Sequence, residues 1–140
     1  MGQKGKNNES GGGRRLARWK RISICAVLGC FVLLGVLYVL FCLGIGSHVK
    51  PICAEAMRQY PGDRIEAVLA YIESDKHSMR ERNKAVWALG YLGDKRAVPV
   101  LKKHLTGEPC EHDKYLCQGE LVKAIKKCES GVNPCAWACR

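Results

Sequence analysis

Residues 24–46 read ICAVLGCFVLLGVLYVLFCLGIG, twenty-three positions with no charged side chain and a majority of Leu, Val, Ile, Phe and other apolar residues. As a helix rising ~1.5 Å per residue, the run is about 34 Å long, enough to cross a hydrocarbon core of roughly 30 Å with some tilt. Working outward from it divides the chain into a basic cytoplasmic tail (1–21), a transmembrane helix (22–46), a helical domain (47–129) and a cysteine-containing C-terminal tail (130–140). A cleaved signal peptide is the alternative for the N-terminal part, but its apolar core is usually only ~7–15 residues long. Val27-Leu28-Gly29-Cys30 loosely matches a lipoprotein processing site, yet the next stretch, Phe31 to Phe41, is too apolar for a released terminus.

The basic flanks give the orientation. Lys4, Lys6, Arg14, Arg15, Arg18, Lys20 and Arg21 precede the run, whereas only Lys50, Arg58 and Arg64 fall in the twenty residues after it. Lys and Arg next to a span stay on the cytoplasmic side, so the N-terminus is expected inside and the rest in the periplasm, a lumen or the extracellular space. Of the formal charge of +10, residues 1–21 carry +6 (seven Lys/Arg against Glu9). That tail suits anionic lipid headgroups, at ~1 kcal/mol per residue near the surface, better than nucleic acid. The stretch MGQKGKNNESGGG (1–13) has no apolar period and is expected to be disordered. Asn8-Glu9-Ser10 is a glycosylation acceptor that a cytoplasmic tail could not use. Lys6 stands where a Met1-Gly2 myristoylation signal requires Ser or Thr.

Beyond the span the apolar positions follow a helical period. Ile65, Val68, Leu69 and Ile72 form one stripe, preceded by Asp63 with Glu66 three residues on, a capping box in which each side chain satisfies a backbone N–H left open at a helix start. Ser78 and Glu81 repeat the device before Ala85, Ala88, Leu89 and Leu92, and Gly93 ends that helix. Asp94 is read as the cap of a helix through Ala97, Val98, Leu101 and Leu105, with Pro99 early in it, where a missing N–H matters least. A further helix is expected from about His112 to Cys128, and a short one over Ile52–Tyr60 directly after the span. No stretch alternates as a strand would, so the class is all-α.

Residues 84–101, KAVWALGYLGDKRAVPVL, resemble a HEAT-like repeat of the bacterial and phycobilisome-lyase-associated type, through Ala85, Trp87-Ala88-Leu89-Gly90, Leu92-Gly93-Asp94, Arg96-Ala97-Val98-Pro99 and Leu101. Following the one transmembrane helix, the resemblance implies a short HEAT-like α-solenoid of about four to five helices, in which small residues let paired helices approach closely. It extends more faintly to Asp63–Ile72 and Leu121–Cys128, and Val68-Leu69 and Val100-Leu101 are offset by 32. Ala124-Ile125-Lys126-Lys127 stands where the family has Ala-Leu-Gly, which marks that helix as a cap.

Of nine cysteines, Cys25, Cys30 and Cys42 lie in the apolar run and read as small hydrophobes. Cys53, Cys110, Cys117, Cys128, Cys135 and Cys139 fall on the outer side, where an even set in a small domain reads as a disulfide framework. Cys117 and Cys128, on one helix, are about 16 Å apart and too distant to pair. Cys110 is expected with Cys117, and Cys128 with Cys135 or Cys139; Cys53 either takes the remaining tail cysteine or stays free. A metal site from Cys110, His112 and Cys117 is the weaker alternative, since no Cys-x-x-Cys pair is present. His48, His77 and His104 read as solvated.

No nucleophile with its base, paired carboxylates or phosphate loop is recognisable, so no enzyme activity and no cofactor are expected; Asp63, Glu66, Glu81 and Asp94 read as caps. The resemblance also implies a chromophore-lyase-like activity as a minor alternative. The leading expectation is a membrane-tethered adaptor for a protein partner, with Arg80, Arg82, Lys84, Trp87, Tyr91, Lys95 and Arg96 as a contact patch, against the plainer reading of Trp87 as inter-repeat packing. The other expectation is a small structural subunit assembled through its span, where Cys25 and Gly29, and Ala26 and Cys30, are small residues four apart; an oligomer is left open.

Overall fold

The computed structural model describes residues 10–107, 115–131, 133 and 135–139. Among these, all regular structure is helical: α1 (Ser10–Gln59), α2 (Arg64–Glu73), α3 (Met79–Leu92), a 3-10 turn (Lys95–Ala97), α4 (Val98–Lys103), α5 (Gln118–Ser130) and α6 (Ala136–Cys139). The chain divides into two compact units, residues 1–40 and 41–140. α1 supplies the described part of the first unit and contributes its end, from Phe41, to the second.

In the first unit every side chain from Arg18 to Leu40 is exposed. α1 is the one described helix long and apolar enough to cross a membrane, with a mean hydropathy of 2.8 in its most apolar window. The helix starts at Ser10, so Ser10–Gly13 is helical where disorder was expected. These residues extend a helix already nucleated by the run that follows, so they need no nucleus of their own.

The second unit is built on a stripe of α1. Cys42, Ile45, Val49, Cys53 and Ala56 are all buried, at the helical intervals of three and four residues. Packing along this stripe also explains why α1 runs through Pro51 to Gln59 instead of yielding a separate helix after the span. The proline withholds one N–H, but the buried residues on either side hold the helix together.

Helices α2 and α3 begin where their capping boxes sit. Asp63 Oδ1 accepts from the N–H groups of Ile65 and Glu66, both at 2.9 Å, while Glu66 Oε2 accepts from the N–H of Asp63 at 3.1 Å. In α3, Ser78 Oγ accepts from the Glu81 N–H at 3.3 Å and Glu81 Oε2 accepts from the Ser78 N–H at 2.9 Å. Gly93 ends α3 with φ of +67°, a conformation that costs glycine nothing and most other residues about 1–2 kcal/mol.

The third helix departs from expectation at both ends. Asp94 caps the 3-10 turn, with Oδ1 accepting from the Arg96 N–H at 2.9 Å, and α4 then starts with proline in its first turn and stops at Lys103, short of Leu105. The next helix starts at Gln118, six residues later than the apolar pattern suggested. Cys117 is its N-terminal boundary residue, and the Cys117 N–H donates to Asn83 Oδ1 at 2.7 Å, so a partner on α3 fixes the entry point.

The core is formed by Val68 and Ile72 of α2, Ala85, Val86, Ala88 and Leu89 of α3, Leu101 of α4, and Leu121, Ala124 and Cys128 of α5. Of the two matched doublets, the buried members are Val68 and Leu101. α3 is the central element, packing on α2, α5 and α6. Its approach to α5 is close at Gly90, where an added Cβ would lie 3.1 Å from Ala124 Cα.

Candidate functional site

One face of α3 carries Arg80, Lys84, Trp87 and Tyr91 at intervals of four, three and four residues, opposite the face that buries Ala85 and Leu89. One face of α5 carries Glu120, Lys123 and Lys127 in the same manner. The Gly90–Ala124 approach brings the two stripes to either side of a groove of about 860 Å³, also lined by Ser78, Met79 and Asn83. Its charge is lopsided: four cations meet one carboxylate.

The aromatic rings form its apolar part. Trp87 and Tyr91 are half-buried, with ring centroids 4.6 Å apart and planes tilted by 53°. Lys127 Nζ lies 3.5 Å from the centre of the Tyr91 ring, over its electron-rich face. Lys123 Nζ donates to Glu120 Oε1 at 3.0 Å, and that hydrogen bond raises the lysine's pKa. Among the described residues Arg80 and Lys84 meet no carboxylate at ion-pair distance. A second cavity of about 380 Å³ shares Lys84 and Trp87 and is otherwise walled by Ser47, His48, Pro51 and Ile52 of α1.

The expected contact patch is thus divided by the fold. Arg80, Lys84, Trp87 and Tyr91 come together. Arg82 does not join them: only 7% exposed, it donates from Nε to the Ile72 carbonyl at 2.6 Å and from Nη1 to Asp75 at 3.3 Å, tying the end of α2 to α3. Arg96 lies in a carboxylate corner, with Nη1 2.6 Å from Asp63 and Nη2 3.1 Å from Asp94. Lys95 lies beside Gly131 and does not line the groove. Sequence reasoning missed Lys123 and Lys127 as part of the groove, although the run Lys123, Lys126 and Lys127 was visible, because nothing local says which face of α5 meets α3.

Three of the capping carboxylates, Asp63, Glu81 and Asp94, are held below their usual pKa. For Asp63 the leading cause is the Glu66 N–H, followed by Arg96; for Glu81 it is the Ser78 hydroxyl; for Asp94 it is the Arg96 guanidinium.

The cysteines are arranged differently from the expectation. Cys42 is bonded to Cys135, with Cα atoms 5.0 Å apart. Cys135 is therefore not the partner of Cys128, and Cys42 is more than a small hydrophobe. In a run where every residue is apolar, periodicity does not reveal which face meets protein. Cys128 is a buried thiol that donates to the Leu89 carbonyl at 3.5 Å, and burial pushes its pKa up to about 11. Cys53 and Cys139 are buried thiols. Cys25 and Cys30 are exposed. Cys110 lies outside the described residues, and with it the expected bridge to Cys117; His112 of the alternative metal site lies outside them too. Among the described residues no three His, Cys, Asp or Glu side chains are grouped as metal ligands.

The histidines differ from one another. His48 is exposed, but His77 stacks on Tyr71 at a centroid distance of 3.6 Å and shares a hydrogen bond of 3.0 Å with the Tyr60 hydroxyl. Burial lowers the pKa of His104, contrary to a fully solvated ring.

Comparison with curated proteins and with solved structures returned no match. Residues 81–107, which span most of α3, the 3-10 turn and α4, match the family described as PBS lyase HEAT-like repeat. The matched stretch is similar to one repeat of that family, and Asn83, Lys84, Trp87 and Tyr91 of the groove fall within it.

Proposed function

We propose that this chain is a single-pass membrane protein whose helical domain, on the extracytoplasmic side, acts as an adaptor that holds an acidic segment of a protein partner between α3 and α5. The groove supports this reading: half-buried Trp87 and Tyr91 offer an apolar seat, and Arg80, Lys84, Lys123 and Lys127 surround it with only Glu120 in opposition. Aromatic and arginine side chains in concave, partly dry settings are where binding energy concentrates. Complementary charge adds association rate and selectivity. The role proposed for it is binding, and the Ser78 hydroxyl at its edge is engaged by Glu81 at 2.7 Å.

The membrane address rests on the apolar part of α1 and on its basic N-terminal flank. The outer-side placement is supported by the Cys42–Cys135 bond, since disulfides persist in oxidising compartments.

A photocrosslinking residue at position 84, introduced into the full chain in its native membrane, tests the reading. One discrete protein adduct is expected, lost when Lys123 and Lys127 are both replaced by Glu. The same adduct persisting in that variant, or adducts to lipid alone, would overturn it. A structural subunit assembled through the span is the second reading, favoured by the small residues Cys25 and Gly29, and Ala26 and Cys30, which stand four apart on α1. Under it, exchanging the span for an unrelated one abolishes assembly, whereas the adaptor keeps its crosslink.

A further inference from the structure

We propose that Cys53 and Cys139 form a second disulfide, so that the C-terminal segment is stapled to α1 at two levels. Along α1 the buried stripe presents Cys42, Gly46, Val49 and Cys53 on one face. The tail follows that face in the same direction. Cys135 is bonded to Cys42, and one turn on Ala138 packs so closely on Gly46 that a Cβ there would collide with the Ala138 carbonyl.

Cys139 is the next residue of the tail, fully buried, and its carbonyl accepts from Arg64 Nη1 at 3.0 Å. Cys53 is 2% exposed and lies further along the same stripe. Side chains on a helix lean toward its N-terminus, so Cys53 reaches back toward Val49 and the part of α1 on which the tail packs. The electrostatics place the two sulfurs in one neighbourhood. Burial pushes the Cys53 thiol up, the Arg64 cation pulls it down, and Cys139 pushes it up again; burial also raises Cys139, against Lys50 and Arg64. Arg64 thus touches the surroundings of both.

The other thiols are placed elsewhere. Cys128 is directed at the Leu89 carbonyl, between α3 and α5, and Cys25 and Cys30 are exposed on α1 in the first unit. The sulfurs of Cys53 and Cys139 are both removed from water, and among the described residues they are the two buried thiols that stand away from α5.

The oxidant is a disulfide, either a thiol–disulfide oxidoreductase or a small-molecule disulfide. One cysteine thiolate attacks a sulfur of the oxidant, whose S–S bond breaks and releases a thiolate, leaving a mixed disulfide. The second cysteine thiolate then displaces the remaining half of the oxidant. The Cys53–Cys139 bond forms, two protons and two electrons leave the cysteines, and the oxidant ends as two thiols. Because both sulfurs are buried, the exchange belongs to the period before the tail has seated.

This inference rests on the outer-side placement proposed above, and the Cys42–Cys135 bond serves as its internal control. Full-length protein, purified from membranes after acid quenching and thiol blocking, is digested without reductant and mapped by mass spectrometry. The expected result is a Cys53–Cys139 linked peptide beside the Cys42–Cys135 one. Blocked Cys53 and Cys139 beside an intact Cys42–Cys135 bond would overturn the second staple alone; absence of both bonds would overturn it together with the placement. Counting thiols in denatured protein gives a readout that survives poor folding. Cys53→Ser or Cys139→Ser raises the count of free thiols by one if the bond exists, and lowers it by one if it does not.

Discussion

Two regions of the second unit use the same residue types for opposite ends. At the junction of α2, α3 and the 3-10 turn, cations are consumed by the fold: Arg82 closes on the Ile72 carbonyl, and Arg96 lies between Asp63 and Asp94. In the groove between α3 and α5, Arg80 and Lys84 stand on the same helix as Arg82 but face rings instead of carboxylates. A basic cluster read along the chain is therefore two things in space. The position of the acids decides which cations are structural and which remain available to a ligand.

The largest effect should come from separating Arg82 from Lys84. Arg82→Ala strands the Ile72 carbonyl and leaves a void, and a buried hydrogen bond to a charged group is worth about 1.5–3 kcal/mol. The Asp75 partner adds little, because its side chain is 98% exposed. Lys84→Ala should stay within about 0.5 kcal/mol of the parent, as exposed substitutions usually do. Denaturant unfolding of the full chain in detergent measures both, and equal losses would erase the distinction between the regions.

A smaller loss is expected at the floor of the groove. Gly90→Leu forces bulk against the Ala124 backbone, and overpacking of this kind costs about 1–3 kcal/mol. It should also part α3 from α5 and weaken the crosslink at position 84, which links packing at the floor to binding above it. Unfolding and crosslinking on the same preparation check this.

Acid should affect the capping carboxylates first. Asp63, Glu81 and Asp94 have folded-state pKa values below their unfolded ones, so their contribution is present above the ordinary carboxylate range of about 4 and is lost as pH falls through the depressed values. The thermal midpoint should hold from neutral pH to about pH 5 and fall below it. Asp94→Asn should flatten that fall. Lys84→Ala, with no carboxylate to lose, should leave its shape unchanged.

How much of the molecule was legible in the sequence depends on the reach of each signal. Capping boxes are complete within four residues, so Asp63 with Glu66 and Ser78 with Glu81 mark their helices without tertiary information. The HEAT-like repeat was equally readable, because small residues, turn and cap recur at fixed local intervals. The start of α5 was not, since Asn83 on another helix sets it. Nor was the inward role of Arg82, which depends on a carbonyl ten residues away in chain and on a neighbouring helix. Cys42 was hidden for a different reason: among apolar neighbours a thiol looks the same whether it faces lipid or another sulfur.

The Cys42–Cys135 bond joins residues 93 positions apart and closes a ring that contains nearly all of the helical domain. A protease that nicks the chain once anywhere inside that ring cannot shed a fragment, because both new ends remain covalently joined to α1. Release from the anchor would take a cut and a reductant together, or a cut on the N-terminal side of Cys42.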